Sequence, residues 1–208
     1  MRGRILMTNG VWASVLLMAG CGGKVLYPHY YALDIPAAPI AAEAGARQPV
    51  TLAVRRFEAA SYLRQGRIVY RPTPTEIGFY DYHRWAADPA EAITEATIDS
   101  IRSRRLFAFV KPYDGQGRED YLLSGRLEKL EEIDSPRGVR VAARLSAELV
   151  DLSTGAAVWQ SEGDEAAVVE SRDVNSLVGA MSHAVQKCIE RLTDGLDRHF
   201  SAKLEAAK

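Results

Sequence analysis

From Val139 to Val150 the chain alternates strictly, with Val139, Val141, Ala143, Leu145, Ala147 and Leu149 on one side and Arg140, Ala142, Arg144, Ser146, Glu148 and Val150 on the other. Successive side chains of a strand point to opposite faces, so this run specifies a strand with one dry face and one wet face. Such a strand needs a sheet beside it and a layer over it. Tyr121, Leu123, Gly125 and Leu127 alternate in the same way just upstream, and Ala157-Val158-Trp159-Gln160 returns after the turn residues Asp151-Leu152-Ser153-Thr154-Gly155. Three antiparallel strands in a meander follow. The covering layer begins at Asp173, where Val174, Leu177, Val178, Met181, Val185, Cys188, Ile189, Leu192 and Leu196 form one apolar helical stripe.

Upstream, Tyr30-Tyr31-Ala32-Leu33-Asp34 and Val50 to Phe57 read as strands, separated by an alanine- and proline-rich surface loop from Pro36 to Pro49. Arg67 to Arg71 and Glu76 to Tyr82 read as a hairpin whose connection, Pro72-Thr73-Pro74-Thr75, stops both strands. Asp88-Pro89-Ala90-Glu91 offers a capping acid, a proline at the first helical position and a glutamate placed for a capping box. The helix so begun buries Ile93, Thr97, Ile98 and Ile101 and ends in Arg102, Arg104 and Arg105, read as a solvated basic terminus. Phe107 to Lys111 adds a short strand before the turn Asp114-Gly115-Gln116-Gly117. The expected class is α+β, an antiparallel or mixed sheet of about six to eight strands with two main helices packed on one face.

The first residues describe something other than this domain. Arg2 and Arg4 precede the apolar run Val11 to Gly20, which is too short for a bilayer-crossing helix of roughly 20 residues and reads as a cleaved export signal. Met18-Ala19-Gly20-Cys21 resembles the lipobox of bacterial lipoproteins, with Gly22-Gly23-Lys24 as a tether behind it. The resemblance implies an acylated Cys21, three acyl chains that anchor stably where one would not, and, because Gly22 rather than an aspartate follows, the outer membrane. The expected division is a lipoprotein signal at 1–20, a short tether at 21–29 and a single domain at 30–208. Of the 26 basic side chains, removal of Arg2 and Arg4 leaves 24 against 27 acidic ones, a net charge of −3 that attracts no nucleic acid.

Residues able to do chemistry are scattered. His29, His83, His183 and His199 lack metal-ligand spacing, and no nucleophile elbow, Walker loop or dinucleotide fingerprint occurs, so neither metal nor cofactor is expected. Glu128, Glu131, Glu132 and Asp134 read as a charged, solvent-facing strand edge rather than a catalytic pair. Cys188, left without a partner once Cys21 carries lipid, falls on the apolar helical stripe and reads as a small buried hydrophobe. No enzyme is expected.

Phe79, Tyr80, Tyr82 and Trp85 put aromatics on both faces of one strand and its exit. One face can pack under the helices; the other suits either core packing or an interface centre. Together with Cys21, Tyr30 to Leu33, Thr51 to Val54, Arg67 to Arg71, Tyr80 to Trp85 before Asp88-Pro89, Tyr121 to Gly125, and Thr154-Gly155 before Val158-Trp159, they make the chain resemble the ABC-type transport auxiliary lipoproteins. That family includes the outer-membrane lipoprotein of the paraquat-inducible system. The resemblance implies a non-catalytic component that works with a mammalian-cell-entry (MCE) type substrate-binding protein and ABC transporter subunits, moves lipids or other hydrophobic compounds between inner and outer membranes, and can form homo-oligomeric rings. Arg71, Tyr80, Tyr82 and Trp85 are the expected partner contacts. A lipid-binding carrier or outer-membrane assembly lipoprotein is the alternative, and it requires a roomy apolar cavity.

Overall fold

A computed structural model describes residues 26–36, 48–135 and 138–206. Cys21, the leader and the body of the 36–49 loop lie outside the described residues. In chain order the elements are β1 (His29–Tyr31), β2 (Gln48–Val54), β3 (Glu58–Ala59), a 3-10 turn (Ser61–Gln65), β4 (Arg67–Thr73), β5 (Glu76–Trp85), α1 (Pro89–Ser103), β6 (Phe107–Pro112), β7 (Tyr121–Ser135), β8 (Gly138–Asp151), β9 (Ala156–Val168) and α2 (Val174–Ala206). All nine strands share one mixed sheet, slightly more than expected.

The sheet is organised by β7. On one flank it pairs antiparallel with β8 over its whole length, and β8 with β9, completing the expected meander. On the other flank three short parallel strands line up along it in succession: β2 at Leu52↔Tyr121, β3 at Glu58↔Arg126 and β4 at Val69↔Glu131. Beyond them β6 extends β2, while β5 and then β1 extend β4. The registers give the domain two ends. One carries the β4–β5 and β7–β8 turns and the start of α2; the other carries the β8–β9 turn and the start of β7, and β1 runs between them beside the last three residues of β5.

The dry face anticipated from the alternation of β8 is formed by Val141, Ala143, Leu145, Ala147 and Leu149, all buried with Leu123, Leu127 and Leu130 of β7. Both helices cover it. The α2 stripe is buried from Leu177 to Phe200, and the α1 stripe at Ile93, Thr97, Ile98 and Ile101. Ser100 of α1 donates to Thr193 of α2 at 3.2 Å where the helices meet. The start of α1 is fixed as expected: Asp88 accepts from the Ala90 amide at 3.0 Å, and Pro89 needs no partner for the N–H it lacks. The expected capping box is not formed: the Glu91 carboxylate lies 3.5 Å from Arg56, which also pairs with Asp88 at 3.0 Å. At the other end of α1, Arg102 donates twice to the Val110 carbonyl and Arg104 pairs with Asp194 of α2, so this terminus is tied down as well as wet.

Two expectations are corrected. The strand through Leu127 runs on to Ser135, because a bulge between Leu127 and Lys129 shifts the alternation and returns Leu130 to the core. Glu131 therefore lies on a strand paired on both sides, 2% exposed, rather than on a solvent-facing edge. Cys188 is buried as expected, its thiol pushed up to about 12 by burial and then by Glu165, which leaves it protonated and unreactive. Among the described residues no helix is long and apolar enough to cross a membrane.

Candidate functional site

The aromatic segment falls on β5, at the corner where β1 arrives from the N-terminus. β1 runs parallel to β5 with His29↔His83, Tyr30↔Arg84 and Tyr31↔Trp85 in register, so His29, Tyr31, His83 and Trp85 share one side of the sheet and Tyr30 and Arg84 the other. On the helix side His29 stacks on His83 with ring centroids 5.6 Å apart and 18° between planes. The Tyr31 hydroxyl and His83 Nδ1 are hydrogen-bonded at 2.9 Å, and Tyr80 meets His83 edge-on at 5.5 Å. Tyr80 also packs edge-on against Tyr70 and donates its hydroxyl to Glu132 at 2.6 Å. Burial, reinforced by Glu132, holds the Tyr80 phenol above its ordinary pKa, so it remains a donor.

On the opposite side Arg71 makes a two-pronged contact to Glu131, with Nε and Nη2 each 2.9 Å from a carboxylate oxygen. A third prong holds the Pro74 carbonyl at 3.1 Å, which fixes the β4–β5 turn. Tyr62, from the 3-10 turn that covers this part of the sheet, donates to the Glu128 carbonyl at 3.0 Å and approaches Glu131 at 3.3 Å. Its phenol is pushed up to about 12 by burial and by the Glu131 charge, while hydrogen bonding to Glu131 raises Arg71 further. A buried carboxylate saturated by an arginine fork and a tyrosine is a structural clamp.

The four residues expected at a partner contact are thus gathered in one corner but do not form one surface. Trp85 is 7% exposed and belongs to the core. Tyr80 is half-buried on the helix side, and Arg71 is engaged by Glu131. Tyr82 is 45% exposed. Sequence reasoning missed the Arg71–Glu131–Tyr62 clamp. Its signal is the apolar pair Leu130 and Ile133 on either side of Glu131-Glu132, but the bulge hides the strand.

His83 gives a pH-dependent readout. Burial and then His29 lower its pKa, so the folded state resists its protonation. The unfolded chain takes up this proton near pH 6.5, so the stability contributed by a neutral His83 is complete above that pH and is lost as pH falls below it. The protection of the Tyr30 and Tyr31 amides against exchange, taken relative to the intrinsic rate at each pH, should fall between pH 7.5 and 5.5, and a His83→Gln variant should show a flatter profile; identical protection profiles would show that His83 does not carry this pH dependence.

An open groove of about 630 Å³ runs along the wet face beside Arg55, Arg126, Ser146, Glu148 and Gln160. Its lining is charged and polar, unlike the apolar walls that enclose an acyl chain. Among the described residues no three His, Cys, Asp or Glu side chains gather into a metal site.

The fold is similar to that in a crystal structure of a protein from Xanthomonas campestris, at a TM-score of 0.72 and 20% identity, covering 86% of this chain and 99% of that one. A crystal structure of an uncharacterized protein is similar at a TM-score of 0.64 and 12% identity, covering 82% and 99%. A PelC dodecamer from Paraburkholderia phytofirmans, at a TM-score of 0.45 and 18% identity, covers 73% of this chain and 94% of its own, too distant for its assembly to be carried over. No curated protein matches significantly. The model of the family described as "ABC-type transport auxiliary lipoprotein component" matches residues 31–193, most of the described sheet and helices, and the chain belongs to that family.

Proposed function

We propose that residues 1–20 are removed on export, that Cys21 is acylated, and that residues 30–208 form a single non-catalytic domain held at the outer membrane, facing the periplasm. There it serves an MCE-type ABC transport system that moves lipids or other hydrophobic compounds between the inner and outer membranes. The observation that carries this reading is the family match, which begins ten residues beyond Cys21. The geometry supports it. β1, the described element nearest Cys21, is an edge strand of the sheet, so a tether from Cys21 reaches the domain at the β1–β5 corner.

The partner contact is placed at Tyr82, with Arg71, Tyr80 and Trp85 holding the strand beneath it. β1, β6 and β9 each leave one edge unpaired among the described residues, which offers the head-to-tail contact that a homo-oligomeric ring needs. Metabolic labelling with palmitate should mark the chain and fail to mark Cys21→Ser. Co-purification with the MCE subunit should fall about tenfold or more for a folded Tyr82→Ala variant, as expected of an aromatic contact at an interface centre. An unlabelled wild-type chain would sink the anchor, and undiminished recovery would sink the contact.

A further inference from the structure

The corner that carries Tyr82 also holds more positive charge than its neighbours neutralise. Arg67 of β4 and Arg84 of β5 stand directly opposite each other across the strand pair. Like charges in that position repel. Arg67 has Asp81 at 3.7 Å, a carboxylate that is 78% exposed. Arg84 has no carboxylate partner among the described residues, and its Nε is shut off from solvent without a hydrogen bond. Tyr30, in register with Arg84 on β1, is 62% exposed on the same side. Leu26 and Tyr27, immediately before β1, are 55% and 77% exposed.

From this juxtaposition we infer that the β1–β5–β4 corner is a bilayer-docking surface that binds anionic phospholipid headgroups, with Arg67 and Arg84 on a phosphate and Leu26, Tyr27 and Tyr30 in the interface. Two opposed guanidinium groups match phosphate oxygens with paired donors. Tyrosine favours the headgroup level, where its ring is covered and its hydroxyl stays wet. A free phosphate would satisfy the arginines and leave the three exposed apolar side chains in water; a lipid surface satisfies both. The chain length fits as well. Leu26 lies five residues after Cys21, at most about 18 Å of extended chain, so an acylated Cys21 delivers this corner to the membrane. The inference rests on the anchored reading proposed above.

The test uses the full exported chain on vesicles of phosphatidylcholine alone or with about 30 mol% phosphatidylglycerol, read by amide exchange. Each cation at an anionic surface contributes about fivefold in affinity. Exchange at residues 26–31, 84 and 85 should slow at least about fivefold on the anionic vesicles, and Arg67→Glu/Arg84→Glu should abolish the difference. Arg67→Gln/Arg84→Gln, which removes charge without reversing it, guards against misfolding and should give the same loss. Tyr27→Ala/Tyr30→Ala should weaken protection on both vesicles, whereas Phe109→Ala, an exposed aromatic on β6 away from this corner, should change nothing. Equal exchange on the two vesicles, or protection by inorganic phosphate alone, would overturn the assignment. Intact mass separates the two readings: an acylated chain without anionic protection defeats the docking surface, and protection of an unacylated chain defeats the anchor.

Discussion

Glu131→Ala should lower the melting temperature by about 6–12 °C, the equivalent of roughly 3 kcal/mol in a domain of this size. Glu131 is 2% exposed, and every strong donor near it is positioned by it: both prongs of Arg71 and the hydroxyl of Tyr62. Removing the acid leaves a guanidinium at 21% exposure facing a gap with only the Pro74 carbonyl to hold it. An uncompensated charge costs more than the pair itself contributes. The paired replacement Arg71→Met/Glu131→Leu, which removes both charges and fills the space, should therefore melt closer to wild type than either single change. Circular dichroism melts of wild type, Glu131→Ala, Arg71→Met, Glu131→Leu and the double variant decide it. A Glu131→Ala variant within about 2 °C of wild type would show that the clamp is ornamental and that the 3-10 turn is held by packing alone.

That clamp also marks where the sequence stopped being readable. β8 was legible because every second residue agrees, and α1 because Asp88-Pro89 states its start in local chemistry. α2 was legible because its apolar stripe is sustained. β7 was legible only to Leu127, since the bulge at Glu128 and Lys129 inverts the period and makes Glu131 look like part of a solvated acidic run. β9 shows a strand signal only at Ala157 to Gln160. The rest of it carries Glu162, Asp164 and Glu165, where Arg144 and Arg191 pair with them from β8 and α2. The succession of β2, β3 and β4 along one flank of β7 has no local signal, because parallel register is set by tertiary packing. At the candidate site, the aromatic surplus on β5 was visible, but not its division between core and surface. That division depends on the irregular register between β4 and β5 that separates Phe79 from Arg84, and hence on which of Tyr80, Tyr82 and Trp85 turns inward.

The sharpest packing test lies on β9. Gly163 is opposite Leu145 on the dry face, and a Cβ built on it would sit 2.8 Å from the carbonyl oxygen and 2.9 Å from the Cα of Cys188. Those atoms are backbone in the middle of α2, so no side-chain rotation relieves the clash; the helix itself must move. Gly163→Ala should cost about 2–3 kcal/mol, at the upper end of overpacking, and Gly163→Val should cost more. Since α2 carries Met181, Val185, Cys188, Ile189, Leu192 and Leu196 into the core, lifting it at Cys188 loosens contacts along the whole stripe. Gly179, earlier on the same helix, supplies the contrast. It is exposed and an added Cβ meets nothing within 4 Å, so Gly179→Ala should stabilise by roughly 0.5–1 kcal/mol through helix propensity alone. Urea titrations of the two variants should therefore move in opposite directions with unchanged slopes. If Gly163→Ala unfolded at the wild-type midpoint, α2 would not be seated on β9 at this distance, and the close helix–sheet contact would have to be redrawn.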